Sequence, residues 1–184
     1  MQNKSKFNLS HLDEGGFYVK PGFFDMKDFN YIKENISKLE YIPTYQPSGI
    51  YYGNRFQAYP CYEARDSDYF NNLFVRKFNE IFDRKPKDLR CIIRKTLTSE
   101  LKMSKVNKGM GIVHSDTKSY ATLMYFDQTT SGGTAFFEYA CDKYPDITIG
   151  AFPNRLVAYS GKRNHAAMQD FSYEERYIIA HFFD

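Results

Sequence analysis

Tyr120-Ala121-Thr122-Leu123-Met124-Tyr125-Phe126, a polar break ending in Gly132-Gly133, and Thr134-Ala135-Phe136-Phe137 decide the reading of this chain. Each apolar run is too short for an ordinary helix, and both are rich in aromatic and β-compatible residues bounded by turn formers. Working outward, similar runs occur at 89–94, 111–114, 134–139, 147–149, 155–159 and 176–183. Thr130-Ser131-Gly132-Gly133 and Ser160-Gly161-Lys162 supply turn signals between them. No helical period separates successive runs, so a βαβ arrangement is disfavoured. The pattern predicts a mainly β sandwich or barrel with helices packed outside.

The helices are expected upstream. Asp25 is placed to cap a segment in which Met26, Phe29, Ile32, Ile36 and Leu39 recur at three- and four-residue intervals. Pro43 and Pro47 end it. Residues 67–82 carry a second stripe of Phe70, Phe74, Phe78, Ile81 and Phe82, widened by Leu73, which reads as core. Between them, residues 44–66 read as irregular chain with one short strand. The expected organisation is one domain, 1–184, with helical support over about 24–83 and a β core over about 88–184.

Composition excludes several classes. The 184 residues are 42% hydrophobic, too apolar for a disordered chain. A net charge of +3, with basic residues scattered among apolar ones, disfavours a nucleic-acid partner. Cys61, Cys91 and Cys141 form no CxxC pair and no disulfide framework. The polar stretch 1–10 lacks the apolar segment of a signal peptide, and no run reaches transmembrane length. A cytoplasmic or other intracellular reducing compartment is the expectation.

The chain has four histidines. His114 and Asp116 form an H-x-D pair, and in an extended segment residues two apart face the same side. Alone, the pair is a weak signal and reads more readily as a surface turn. With His165 as a distant third ligand, the set becomes two imidazoles and one carboxylate. Those donors take one face of an iron(II) octahedron and leave three positions open.

These residues sit in an ordered pattern: His114-Ser115-Asp116, the strand 121–126, Gly132-Gly133 before 134–137, Asn154–Tyr159 leading to Gly161 and His165, and a closing strand 176–183. Over residues 89–183 the pattern resembles the 2-oxoglutarate- and iron-dependent dioxygenases, particularly their prolyl-hydroxylase-like branch. The resemblance implies a double-stranded β-helix, a cupin-like jelly roll, with Fe(II) on His114, Asp116 and His165. It also implies 2-oxoglutarate as co-substrate, gripped at its far carboxylate by Arg176, with ascorbate as a supporting reductant. A planar guanidinium suits that carboxylate through two charge-assisted hydrogen bonds.

The second polar contact to the co-substrate stays open. Some relatives place a tyrosine near the position of Phe126, which has no hydroxyl. Thr122 shares Phe126's parity, whereas Tyr125 requires a twist or bulge to reach the same side. On the last strand, His181 has the opposite parity to Arg176 and is expected in outer packing. Related halogenases replace this carboxylate with a small residue, so the resemblance with Asp116 retained implies hydroxylation, with desaturation or ring closure as the alternatives. Dioxygen and a peptidyl-prolyl or other protein side chain are the expected reaction partners, with a free amino acid or other small metabolite as the alternative. A non-catalytic metal-binding or protein-interaction module is the third reading. Tyr45–Tyr69 and the turns around Lys118 and Lys143 are expected to face the substrate.

Overall fold

A computed structural model describes residues 5–43, 61–65, 68–103, 111, 113–127, 132–168 and 172–184. In chain order its elements are α1 (Ser10–Asp13), β1 (Phe17–Pro21), α2 (Met26–Ile36), β2 (Ile42–Pro43), β3 (Tyr62–Arg65) and α3 (Asp68–Ile81). They continue with β4 (Arg90–Leu97), α4 (Thr98–Met103), β5 (Tyr120–Tyr125), β6 (Gly133–Phe137), β7 (Ile147–Gly150), β8 (Arg155–Ser160), β9 (Asn164–Met168) and β10 (Glu175–Phe183). Seven strands form one sheet in the order β1-β8-β5-β10-β4-β3-β2, and three form another, β7-β6-β9. All pairings are antiparallel. The two facing sheets with helices outside are a double-stranded β-helix, or jelly roll.

Alternation along the strands assigns the faces of the large sheet. Leu123 and Tyr125 of β5, Val157 and Tyr159 of β8, and Ala180 of β10 form an inner cluster with Phe136 from the small sheet. Met124, Leu156, Ala158, Ile179 and Phe183 point the other way and pack against helical residues, including Phe29, Ile32, Phe74 and Phe78. The helices therefore cover the outer face and leave the space between the sheets for the site.

Both helices follow the sequence pattern with two corrections, the first being that α2 ends at Ile36 and leaves Leu39 outside it. Asp25 caps α2, its side chain accepting the Asp28 backbone N–H at 2.9 Å. Phe29, Ile32 and Ile36 are buried, but Met26 is 63% exposed and does not join the stripe. It occupies the first helical position. Phe70, Leu73, Phe74 and Phe78 bury α3. Asn154, at a left-handed φ of 57°, ties this layer to the sheet. Its side chain accepts from Phe24 N at 2.9 Å and donates to Phe24 O at 2.7 Å.

Some boundaries differ from expectation. Of the expected run 111–114, residue 112 lies outside the described residues, and His114 makes an isolated antiparallel bridge to His165. Asn164–Met168 is a strand that alternation does not announce, because Asn, His and Ala are modest strand formers. Its conformation is imposed by pairing with β6. Residues 44–60, most of the expected aromatic substrate-facing segment, lie outside the described residues. Among the described residues no helix is long and apolar enough to cross a membrane.

Candidate metal centre

Backbone geometry brings the three metal-ligand candidates together. His114 N–H donates to His165 O at 3.0 Å, and His165 N–H returns a bond to His114 O at 2.8 Å. Asp116 is fixed next, its N–H bonding Gly161 O at 2.6 Å. Gly161 is required at this crossing, since a Cβ there would lie 2.2 Å from the Lys118 carbonyl oxygen. The ligand atoms of His114, Asp116 and His165 then all lie within 4.8 Å of one another. His114 Nε2 is 3.9 Å from Asp116 Oδ1, and His165 Nε2 is 3.6 Å from Asp116 Oδ2.

The donor set fits a divalent metal. His165 Nδ1 lies 2.9 Å from Arg163 O. A carbonyl can only accept, so this contact assigns the ring proton to Nδ1 and leaves the Nε2 lone pair facing the other ligands. Burial, reinforced by His114, lowers the His165 pKa to about 4, so the ring is neutral near pH 7. Burial raises the Asp116 carboxyl above its ordinary value, while His114, Arg94 and Lys162 pull it down. Among the described residues, buried Asp116 Oδ2 has no hydrogen-bond partner. A cation between two imidazoles would satisfy that carboxylate.

The same cavity extends to Arg176 and is also lined by Arg94, Thr96, Tyr125, Thr134, Tyr159 and Ile178. Arg176 is buried and donates through Nη1 to Met168 O at 2.8 Å. Thr96 is its register partner on β4. Tyr125 Oη and Thr134 Oγ1 are 2.7 Å apart. The metal-ligand group and a buried guanidinium thus share one cavity, as a co-substrate with a chelating end and an anionic end requires.

The structure corrects Thr122. It lies on the outer face, with Oγ1 3.3 Å from His181 Nδ1, and does not line this cavity. The reason is parity: Phe126 stacks on Phe29 beneath α2, at 5.6 Å between ring centroids, so Thr122 shares a helix-facing side. Tyr125 already faces inward, with no bulge needed. His181 stacks on Phe74 at 3.5 Å in the outer layer. Lys118 is held at the surface by Asp184 at 2.7 Å, and Lys143 leans over the exposed Tyr144 ring. Neither lines the cavity.

Sequence reasoning did not single out Arg94, Thr96, Thr134 or Tyr159. Their signal was available only as parity: Arg94 and Thr96 share one face of β4, and Val157 and Tyr159 share one face of β8. Which face points inward depends on which side the helices cover.

No family model matches this chain, and no curated protein matches it. Solved structures do. A 2OG-Fe(II) oxygenase family oxidoreductase from Burkholderia pseudomallei aligns over 98% of this chain and 96% of its own, at 12% identity and a TM-score of 0.64. A prolyl hydroxylase from Trichoplax adhaerens, in complex with a hypoxia inducible factor peptide fragment, aligns over 95% and 86%, at 12% identity and a TM-score of 0.64. HygX from Streptomyces hygroscopicus, with nickel, 2-oxoglutarate and hygromycin B bound, aligns over 94% and 84%, at 11% identity and a TM-score of 0.61. At such identities the likeness is one of fold. The fold is that of the 2-oxoglutarate/Fe(II) oxygenases, prolyl-hydroxylase-like members included, and it carries a facial-triad-like site.

Proposed function

We propose that this chain is an Fe(II)- and 2-oxoglutarate-dependent dioxygenase that hydroxylates its substrate. The observation that carries this reading is the shared cavity: two imidazoles and a carboxylate converge in it, and it extends to buried Arg176. His114, Asp116 and His165 would hold the metal and leave part of its coordination sphere open. Arg176 would bind the far carboxylate of 2-oxoglutarate, with Tyr125 and Thr134 as neighbouring hydroxyl partners. Bound iron supplies the coupling of 2-oxoglutarate decarboxylation, giving succinate and carbon dioxide, to insertion of one dioxygen atom into a substrate C–H bond. The chain's own work is to hold both ends of the co-substrate, keep His165 neutral and exclude water with the apolar walls of Leu123, Ile178 and Phe182.

A peptidyl-prolyl or other protein side chain is the first substrate class. It is supported by the prolyl-hydroxylase-like sequence pattern and by likeness to a peptide-bound relative. A small metabolite is the second, supported by likeness to an antibiotic-bound structure. Iron-dependent conversion of 2-oxoglutarate to succinate, followed by mass-spectrometric search for products 16 Da heavier, tests the reading. Absence of turnover across peptide and metabolite panels, alongside tight binding of a specific partner, would instead establish a binding module. An ascorbate requirement is read from the same assay.

A further inference from the structure

Tyr159 carries a polar atom that the fold buries and leaves without a partner. Its side chain is 0% exposed, and among the described residues Oη makes no hydrogen bond. The ring lies edge-on against His165 at 4.9 Å and against Phe136 at 5.0 Å. Phenylalanine would make the same ring contacts. A buried hydroxyl without a partner is destabilising, so its presence points to an acceptor that becomes available in the working state.

Asp116 supplies such an acceptor. It lines the same cavity as Tyr159, its Oδ2 is likewise buried and unpartnered, and its charge pushes the Tyr159 hydroxyl further above the ordinary tyrosine range. A carboxylate with both oxygens directed at histidines can chelate a metal through both oxygens. That would leave only the two positions a bidentate co-substrate fills and none for dioxygen.

We propose that Tyr159 is a positioning residue: in the metal-loaded protein its hydroxyl donates to the Asp116 oxygen that does not ligate the ion and holds the carboxylate to one-oxygen coordination. The inference rests on the assignment of His114, Asp116 and His165 as the metal site. Outer hydrogen bonds of this kind tune both ligand orientation and metal affinity.

The test is Tyr159→Phe in the full chain, with Co(II) as an optical probe and Asp116→Ala as the control. Loss of the hydroxyl should weaken Co(II) binding about 10- to 100-fold and shift the d–d absorption of the bound ion. The metal-free melting temperature should stay the same or rise, because an unpartnered buried hydroxyl has been removed. Three results overturn the proposal: Co(II) affinity within twofold of wild type, weakened 2-oxoglutarate binding with unchanged metal affinity, or a lower metal-free melting temperature. Failure of the wild-type chain to bind Co(II) removes the metal-site reading itself. Binding by wild type that Asp116→Ala abolishes and Tyr159→Phe leaves unchanged removes only this inference.

Discussion

Arg176 is buried with a carbonyl as its described partner, an arrangement that leaves its charge to be matched by an anion. Arg176→Gln should raise the KM for 2-oxoglutarate about 10- to 100-fold, the equivalent of a charge-assisted hydrogen bond worth roughly 1.5–3 kcal/mol. Succinate formation against 2-oxoglutarate concentration measures it; an unchanged KM would remove Arg176 from co-substrate binding. His181 makes a different prediction, about acid. Burial lowers its pKa from 6.5 to about 3, so over that interval the unfolded chain binds a proton that the folded chain refuses. Stability contributed by the neutral ring is therefore full above the unfolded value and falls as pH drops, with a slope approaching about 1.4 kcal/mol per pH unit. His165 adds its own fall between 6.5 and about 4 in metal-free protein. Urea titrations between pH 7 and 5 with chelator present should show a shallower slope for His181→Phe than for wild type.

At the scale of elements, Asn154 joins the entrance of β8 to the chain before α2. Asn154→Ala deletes two buried side-chain hydrogen bonds to Phe24 and leaves a left-handed φ without the residue type that tolerates it. A loss of about 2–4 kcal/mol is expected from those combined effects, read as a lower urea midpoint with unchanged m-value. Legibility divides along similar lines. The strands at 120–125, 155–160 and 175–183 were readable from the sequence because apolar and β-compatible residues fill them, and α2 and α3 were readable from their apolar stripes. β9 was not, since Asn164-His165-Ala166-Ala167-Met168 has little preference of its own and becomes a strand by pairing with β6. Within the site, the H-x-D pair, His165 and Arg176 stood out by residue type and order. Thr122 was misplaced because local alternation gives two faces without saying which one the helices cover, and Tyr159 went unremarked for the same reason.

For the molecule as a whole, the proposed metal ligands His114 and His165 would tie together segments 51 residues apart in the chain. An ion that binds only the folded state should stabilise it by about 2.7 kcal/mol at a hundredfold excess over Kd. For a domain of this size that is a rise of roughly 5–10 °C in melting temperature. Calorimetry with Fe(II) under anaerobic conditions checks it, and Asp116→Ala should abolish both the rise and succinate formation. No rise in the wild-type protein would count against the site. The reciprocal backbone bonds between His114 and His165 have one more consequence. They use atoms that every residue except proline possesses in full, so the scaffold beneath the ligands places few demands on neighbouring side chains. A fold built this way is compatible with the 12% identity that separates this chain from the Burkholderia pseudomallei structure. What the two chains share is the path of the main chain, which such bonds can hold whatever side chains they carry.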